Sequence, residues 1–271
     1  MPPRKRIAAD GSPGSEPDPA QPEPRLVAET AGINLYSEYS LHDALKRLAA
    51  GSGGRIEATI EGRVADALTA DGEIVEIQTA RLGSLQDKVE FWTGRGYRVR
   101  VQYPLAAHTT IVKVSQKTGE ALSERASPRH KQLWDAFGEL VRAPGMLSTP
   151  GLVFEILFVK IREFRIQLET PERRGRFMRG TRTEDRVLES VLASKRFSSS
   201  LDWLELLAPH EGAEPRYPLS AASLAESLGI GVGVARKVVY SYARAGLLEP
   251  YGKLGRTRLY ELPGIGMDSS R

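Results

Sequence analysis

Three consecutive pieces decide the fold: RVADALT at 63–69, the pair Asp71-Gly72, and EIVEIQT at 73–79. The outer two read as strands, and the dipeptide between them favours a tight hairpin turn, so the strands are expected to pair antiparallel. In EIVEIQT, Ile74, Glu76 and Gln78 share one face, and Val75, Ile77 and Thr79 share the other. That strand is apolar enough to be central in a sheet, yet one face carries a carboxylate and an amide side by side. Asp66 lies on the preceding strand, ten positions before Glu76 and across the turn.

Outward from this hairpin the elements follow in a regular order. RIEATI (55–60) sets Ile56, Ala58 and Ile60 against Glu57, Thr59 and Glu61, predicting a strand that completes a meander. Before it, Leu41, Ala44, Leu45, Leu48 and Ala49 have the spacing of an amphipathic helix, with Gly51 as its stop. After it, a helix is expected from about Leu82, with Leu85, Val89 and Trp92 inward and a stop at Gly94–Gly96. YRVRVQYPL (97–105) and TTIVKVS (109–115) read as two more strands. The order α-β-β-β-α-β-β describes an α/β domain with a mixed sheet.

Composition narrows the chemistry. With 271 residues, 41% hydrophobic and 27% charged, the chain can bury a sizeable core as a globule. No apolar run reaches the length of a transmembrane helix, and no apolar segment follows Arg4, Lys5 and Arg6, so neither a membrane partner nor a secretory signal is expected. A cytoplasmic location follows as the expectation. The absence of cysteine removes disulfide scaffolds, thiol nucleophiles, iron–sulfur clusters and Cys-ligated zinc. His42, His108, His130 and His210 show no HxxxH spacing, which argues against a His-zinc site. A metal, if used, is then a hard cation held by carboxylates.

Glu57, Asp66 and Glu76 stand on three adjacent predicted strands and could converge on one Mg²⁺ or Mn²⁺, which would activate water and stabilise a phosphoryl transition state. Without the cation, Asp66 and Glu76 would be a repelling like-charge pair. The alternative is a set of carboxylates at strand ends, neutralised by Lys46, Lys88 or Arg81. His42, on the first helix a turn before Lys46, either meets a phosphate, orders a carboxylate, or is plain helix surface.

A helix bearing Glu38, a three-stranded meander with Asp66 and Glu76-Ile77-Gln78, and a following helix together resemble the PD-(D/E)xK nuclease superfamily, which includes restriction endonucleases and archaeal Holliday-junction resolvases. The resemblance spans about residues 36–115 and rests on Asp66, nine intervening residues, and EIQ at 76–78. More narrowly, EYSLHDALK, RIEATIEGRVADAL, EIVEIQT, LGSLQDKVEFW and VRVQYPL look like an uncharacterised group of prokaryotic nuclease-like proteins. The resemblance implies a restriction-endonuclease-like mixed sheet flanked by helices. It implies that Asp66 and Glu76 bind Mg²⁺ or Mn²⁺, with the Ile77 carbonyl as a further ligand and Glu38 or Glu57 assisting. Ala65 replaces the usual proline, and Gln78 stands where the superfamily most often has lysine. Lys88, on the next helix, would supply the missing ammonium if it points back to the sheet.

The rest of the chain divides by composition. Residues 1–31 hold seven of the seventeen prolines and are expected to be a disordered tail. The nuclease-like domain is assigned to 32–120, an extension and basic connector to 121–182, and a winged-helix module to 183–265. Within the connector, Leu133, Phe137, Leu140 and Val141 mark a helix, the run LVFEILFVKIREF (152–164) favours strand, and an arginine-rich stretch at 173–182 closes the region. From 183 onward the expected order is three helices and a hairpin. SAASLAESLG (220–229) and GVGVARKVVYSYARAG (231–246) meet at a tight turn, and LLEP with TRLYEL forms the hairpin, the outline of a winged helix-turn-helix.

Arg236, Lys237, Tyr240 and Arg244 on the second of these helices, with Lys253, Arg256 and Arg258 on the hairpin, would meet DNA phosphates or base edges. Between Gly231 and Tyr260 six basic residues face one acid, Glu249, although a winged helix can also serve protein contacts. The expected partner is DNA, duplex or branched, and a homodimer is an open arrangement. The expected function is a metal-dependent DNA endonuclease; the alternatives are a nuclease fold that has lost activity and binds DNA, or a protein-interaction module.

Overall fold

The computed structural model describes residues 40–210, 213 and 215–264; Glu38 and the tail expected at 1–31 lie outside them. Helix α1 (Leu41–Ala50) begins where the Ser40 hydroxyl accepts the Asp43 N–H at 3.2 Å, satisfying a free amide of the first turn. It buries Leu41, Leu45 and Ala49, the stripe that the sequence spacing marks. Strands β1 (Arg55–Ile60), β2 (Arg63–Leu68) and β3 (Ile74–Ile77) form an antiparallel meander. Gly72 closes its second turn at φ +80°, a conformation that a side chain disfavours.

All four residues of β3 are buried, as befits a central strand. Helix α2 (Gln86–Thr93) then leads into β4 (Val99–Ser115), which pairs parallel to β3. Beyond the short β3, the same strand β4 carries β5 (Ala121–Ala126), antiparallel, and along its other edge the parallel β6 (Leu152–Arg174). Strand β7 (Phe177–Phe197) returns antiparallel on β6. The sheet order is β1-β2-β3-β4-β6-β7, with β5 on β4: a large mixed sheet flanked by helices.

Three sequence expectations change here. The two strands read at 97–105 and 109–115 are the single strand β4, because a register shift between Ala106 and His108 absorbs the break in alternation. The connector expected at 121–182 is not a connector: β5 and β6 belong to the same sheet as β1–β4, and the arginine-rich stretch forms the end of the β6–β7 hairpin. Residues 183–197, assigned to the C-terminal module, lie in β7, and the three helices and hairpin expected from 183 onward begin only after it. The long open edge of β6 supplies a ladder of backbone partners there, and tertiary pairing overrides local preference.

Short helix α3 (Phe137–Leu140) precedes β6. After β7 come α4 (Ser200–Glu205), α5 (Ala221–Leu228), α6 (Val232–Arg244) and the hairpin β8 (Glu249–Leu254)–β9 (Thr257–Glu261). Helix α6 buries Ala235, Val238, Val239, Ser241 and Tyr242. Of these, Ala235, Val238, Val239 and Tyr242 join one apolar core with Ile74, Val89, Trp92, Val101, Phe137 and Phe154 of the sheet side. Trp203 of α4 is the junction: it stacks on Phe197 of β7 at 3.8 Å between ring centroids, and its carbonyl accepts the Tyr242 hydroxyl. The boundary placed at 182/183 therefore cuts through both β7 and a shared core. A second core, on the other face, packs Leu41, Leu45 and Ala49 of α1 against Ala67, Val75, Ile77, Leu157 and Val159. Among the described residues no helix is long and apolar enough to cross a membrane.

Candidate functional site

The candidate site forms where the meander is irregular. β1 and β2 pair at Ala58↔Ala65 and at Ile56↔Ala67, but the pair between them, Glu57 with Asp66, is absent from the ladder. Glu57 sits at φ +51°, a left-handed conformation that costs a non-glycine residue about 1 kcal/mol or more. Ala65 packs in the α2-side core and Ala67 in the α1-side core, although residues two apart on a regular strand share a face. The strand thus turns over at Asp66, and its carboxylate reaches the end of β3 instead of either core.

Asp66 Oδ2 accepts the Ile77 N–H at 2.9 Å, and the Asp66 N–H donates to Glu76 Oε1 at 3.3 Å. Glu76 is thus tied to the backbone of Asp66, and Asp66 to the backbone of the residue after Glu76. Each also holds a lysine. Lys46 Nζ of α1 lies 3.3 Å from Asp66 Oδ1 and 3.1 Å from Glu57 Oε1. Lys88 of α2 points back to the sheet, with Nζ 2.8 Å from Glu76 and 5.2 Å from the centre of the Trp92 ring. His42 Nε2 lies 3.0 Å from the Ile77 carbonyl oxygen and 3.4 Å from Asp66 Oδ2.

These contacts set the charge states. Burial works to raise the Asp66 pKa, but the hydrogen bonds from His42 and the Ile77 N–H, with the charges of His42 and Lys46, hold it down at about 2. The Asp66 hydrogen bond raises His42 above its ordinary value, against the effect of its partial burial. Glu76, whose side chain is 2% exposed, is pushed upward by burial and by the charge of Asp66 despite the Lys88 ion pair. The expected repelling pair is thus compensated: an ammonium stands beside each acid, and Arg81 is not among their ion-pair partners. Its backbone N–H donates instead to the Glu139 carboxylate at 2.7 Å.

Asp66, Glu76, Ile77, His42, Lys46 and Lys88 come together; two predicted members do not. Glu57 is 67% exposed and touches the group through Lys46. Gln78 turns toward the loop after β3, its amide donating to the Arg81 carbonyl at 3.3 Å and to the Ser84 hydroxyl at 3.4 Å. Among the described residues no three acidic or histidine side chains are grouped so that they could hold a metal ion. By type, the donors Asp66, Glu76 and the Ile77 carbonyl are all oxygen and suit Mg²⁺ or Mn²⁺. A cation would displace Lys46 from Asp66 and His42 from the carbonyl.

Sequence reasoning missed a buried polar cluster beside the site. Gln102, the β4 partner of Ile77, donates to Glu155 at 2.7 Å. Glu155 also pairs with Arg100 at 3.0 Å and Arg196 at 2.7 Å, and Arg100 reaches Glu73 at 3.0 Å. The signal was available in the lone acid of LVFEILF and the polar positions of RVRVQ, which share one face of adjacent parallel strands.

The predicted DNA-contacting residues Arg236, Lys237, Tyr240, Arg244, Lys253, Arg256 and Arg258 are all exposed. No ion pair engages any of the six cations among the described residues. Tyr260 of β9 also exchanges backbone hydrogen bonds of 2.8 Å with Leu219, just ahead of α5.

The chain belongs to the DUF8091 family, a domain of unknown function, whose model matches residues 39–198. The match covers α1 and the sheet through β7, and so includes the whole candidate site. The chain is also similar to an uncharacterized protein of Treponema pallidum (strain Nichols), 29% identical over 236 residues, covering 86% of this chain and 89% of the relative. No solved structure matches.

Proposed function

We propose that the protein is a metal-dependent DNA endonuclease of the PD-(D/E)xK type, with DNA held by a C-terminal winged helix. The observation that carries this reading is the meeting of Asp66, Glu76 and the Ile77 carbonyl at the turned-over point of β2, with Lys88 Nζ 2.8 Å from Glu76. The order α1-β1-β2-β3-α2-β4, with an antiparallel meander followed by a parallel fourth strand, supports it. So does the α5–α6 pair, whose hairpin is tied to Leu219.

Asp66, Glu76 and the Ile77 carbonyl would hold a Mg²⁺ or Mn²⁺, which supplies an activated water and stabilises charge on the phosphoryl group. Lys88 takes the place of the lysine missing at Gln78, its ammonium fixed between the Glu76 carboxylate and the Trp92 ring. Lys46, already shared with the exposed Glu57, is positioned to pair with an incoming phosphate. His42, whose Nε2–H faces both the Ile77 carbonyl and the Asp66 carboxylate, donates to them and orders that carboxylate.

A second reading is an inactive nuclease fold that binds DNA. It is favoured by the Gln78 amide, which faces the Arg81 carbonyl rather than the acids, and by the lysine beside each carboxylate. Incubation with plasmid and branched DNA plus Mg²⁺ or Mn²⁺ separates the two. Cleavage that disappears in Asp66→Asn establishes the enzyme; DNA binding without cleavage leaves the second reading.

A further inference from the structure

The β6–β7 hairpin outruns the rest of the sheet. The last pairing of β4 with β6 is Ser115↔Gln167, and beyond it β6 and β7 continue together to Arg174↔Phe177. The free part is a bulged two-stranded ribbon, seven residues of β6 (168–174) opposite four of β7 (177–180), and reaches roughly 13 Å at about 3.3 Å per residue. Gly175 turns it at φ +61°.

Along the shaft, cations face acids: Lys160 and Arg162 pair with Glu189, and Arg165 and Arg186 with Glu163. In the ribbon, Lys117 pairs with Glu169, and Arg182 takes up Glu184 and Glu172, the register partner of Arg179. At the tip, Arg173, Arg176 and Arg179 are exposed and take part in no ion pair among the described residues. Arg173 donates to the Gly175 carbonyl at 3.2 Å. Like charges concentrated on one narrow ribbon repel unless a polyanion meets them. A two-stranded ribbon has the width that a duplex major groove admits, and arginine presents the planar donor fork that phosphates take.

We propose that the tip of the β6–β7 ribbon is a second contact point for duplex DNA, engaged through backbone phosphates. This rests on the reading of the protein as one that acts on DNA, and it adds where a long substrate is held. Ile77 at the candidate site is level with Gln102 on β4, and Gln102 with Glu155 on β6. From that row to the tip, β6 runs about 20 residues, on the order of 60 Å along the strand. A duplex lying along it covers about 18 base pairs at roughly 3.4 Å each. The tip therefore selects substrate length and leaves the chemistry at Asp66 untouched.

The test uses the full chain, with duplexes of about 10 and about 30 base pairs, and measures affinity against salt without metal. Replacing Arg173, Arg176 and Arg179 together by Ala should lower the salt slope on the long duplex by about three units, close to one per lost phosphate contact. It should also remove most of the affinity gained between the short and the long duplex. The same three positions changed to Lys should keep the slope, since phosphate contact needs only the charge. An unchanged slope in the Ala variant overturns the proposal, as does a wild-type protein that binds neither duplex. Binding to phosphatidylglycerol vesicles that falls in the Ala variant, with duplex binding unchanged, overturns it in favour of a membrane contact. Cleavage with Mg²⁺ is scored separately: a slope change without cleavage overturns the nuclease reading and leaves the tip contact standing.

Discussion

Changing Asp66 to Asn tests the electrostatics of the site most directly. The folded carboxyl titrates at about 2 against 3.8 for the free side chain. At about 1.4 kcal/mol per unit, that depression is worth on the order of 2 kcal/mol. Because the folded pKa is the lower one, the stabilisation is present above the unfolded value and is lost as pH falls through about 2. At pH 7 the Asn variant loses it, and Lys46, only 13% exposed, keeps just its contact with the rim residue Glu57. For a domain of this size about 2 kcal/mol corresponds to a fall of about 4–8 °C in Tm. The assay is thermal unfolding by circular dichroism in chelator at pH 7, repeated at pH 3, where the gap between the two proteins should narrow. Millimolar Mg²⁺ or Mn²⁺ should then raise the wild-type Tm by mass action and leave the variant unmoved. An Asn variant that melts at or above wild type in chelator refutes this picture, because it would mean that Asp66 is repelled by Glu76 more than it is held by Lys46, His42 and the Ile77 amide.

Glu76→Gln should cost less stability than Asp66→Asn in chelator, since burial already raises the Glu76 pKa and its charged form is less favoured; the paired melting curves check this, and the metal-induced rise should vanish in both. Lys88→Ala should abolish plasmid cleavage while DNA affinity stays within about twofold; cleavage at the wild-type rate would remove Lys88 from its role. Changing Arg236, Lys237, Arg256 and Arg258 to Ala in the full chain should weaken duplex binding and lower the salt slope by about one unit per lost contact, read by titration at several salt concentrations. Trp203→Ala should destabilise the whole described domain by about 3–5 kcal/mol in one cooperative denaturant transition; a separate early transition of the C-terminal helices would refute the shared core.

The locally encoded elements were legible in the sequence. Helix α1, the β1–β3 meander, α2, the α5–α6 pair and the β8–β9 hairpin follow from periodicity, a serine cap and turn residues, each acting within a few positions. The candidate acids were legible for the same reason: strand alternation and one tight turn place Asp66 beside Glu76 without further information. His42 and Lys46 were legible only as helix residues near the right face, and their contacts with Asp66 depend on how α1 lies on the sheet.

What only the tertiary structure decided involves partners far apart in sequence. Residues 183–197 are strand because β6 presents an edge whose backbone groups need partners, a demand invisible within any local window. The single core that joins Trp92, Phe137, Trp203 and Tyr242 makes one domain of segments that composition separates. The direction of two side chains was decided in the same way. Lys88 is drawn to Glu76 because a buried carboxylate needs a counter-charge, and Gln78 turns to the Arg81 carbonyl because the loop after β3 offers its amide an acceptor. Spacing along the chain names the residues able to form a charged site; the long-range packing of α1 and α2 on opposite faces of the sheet determines which charges meet.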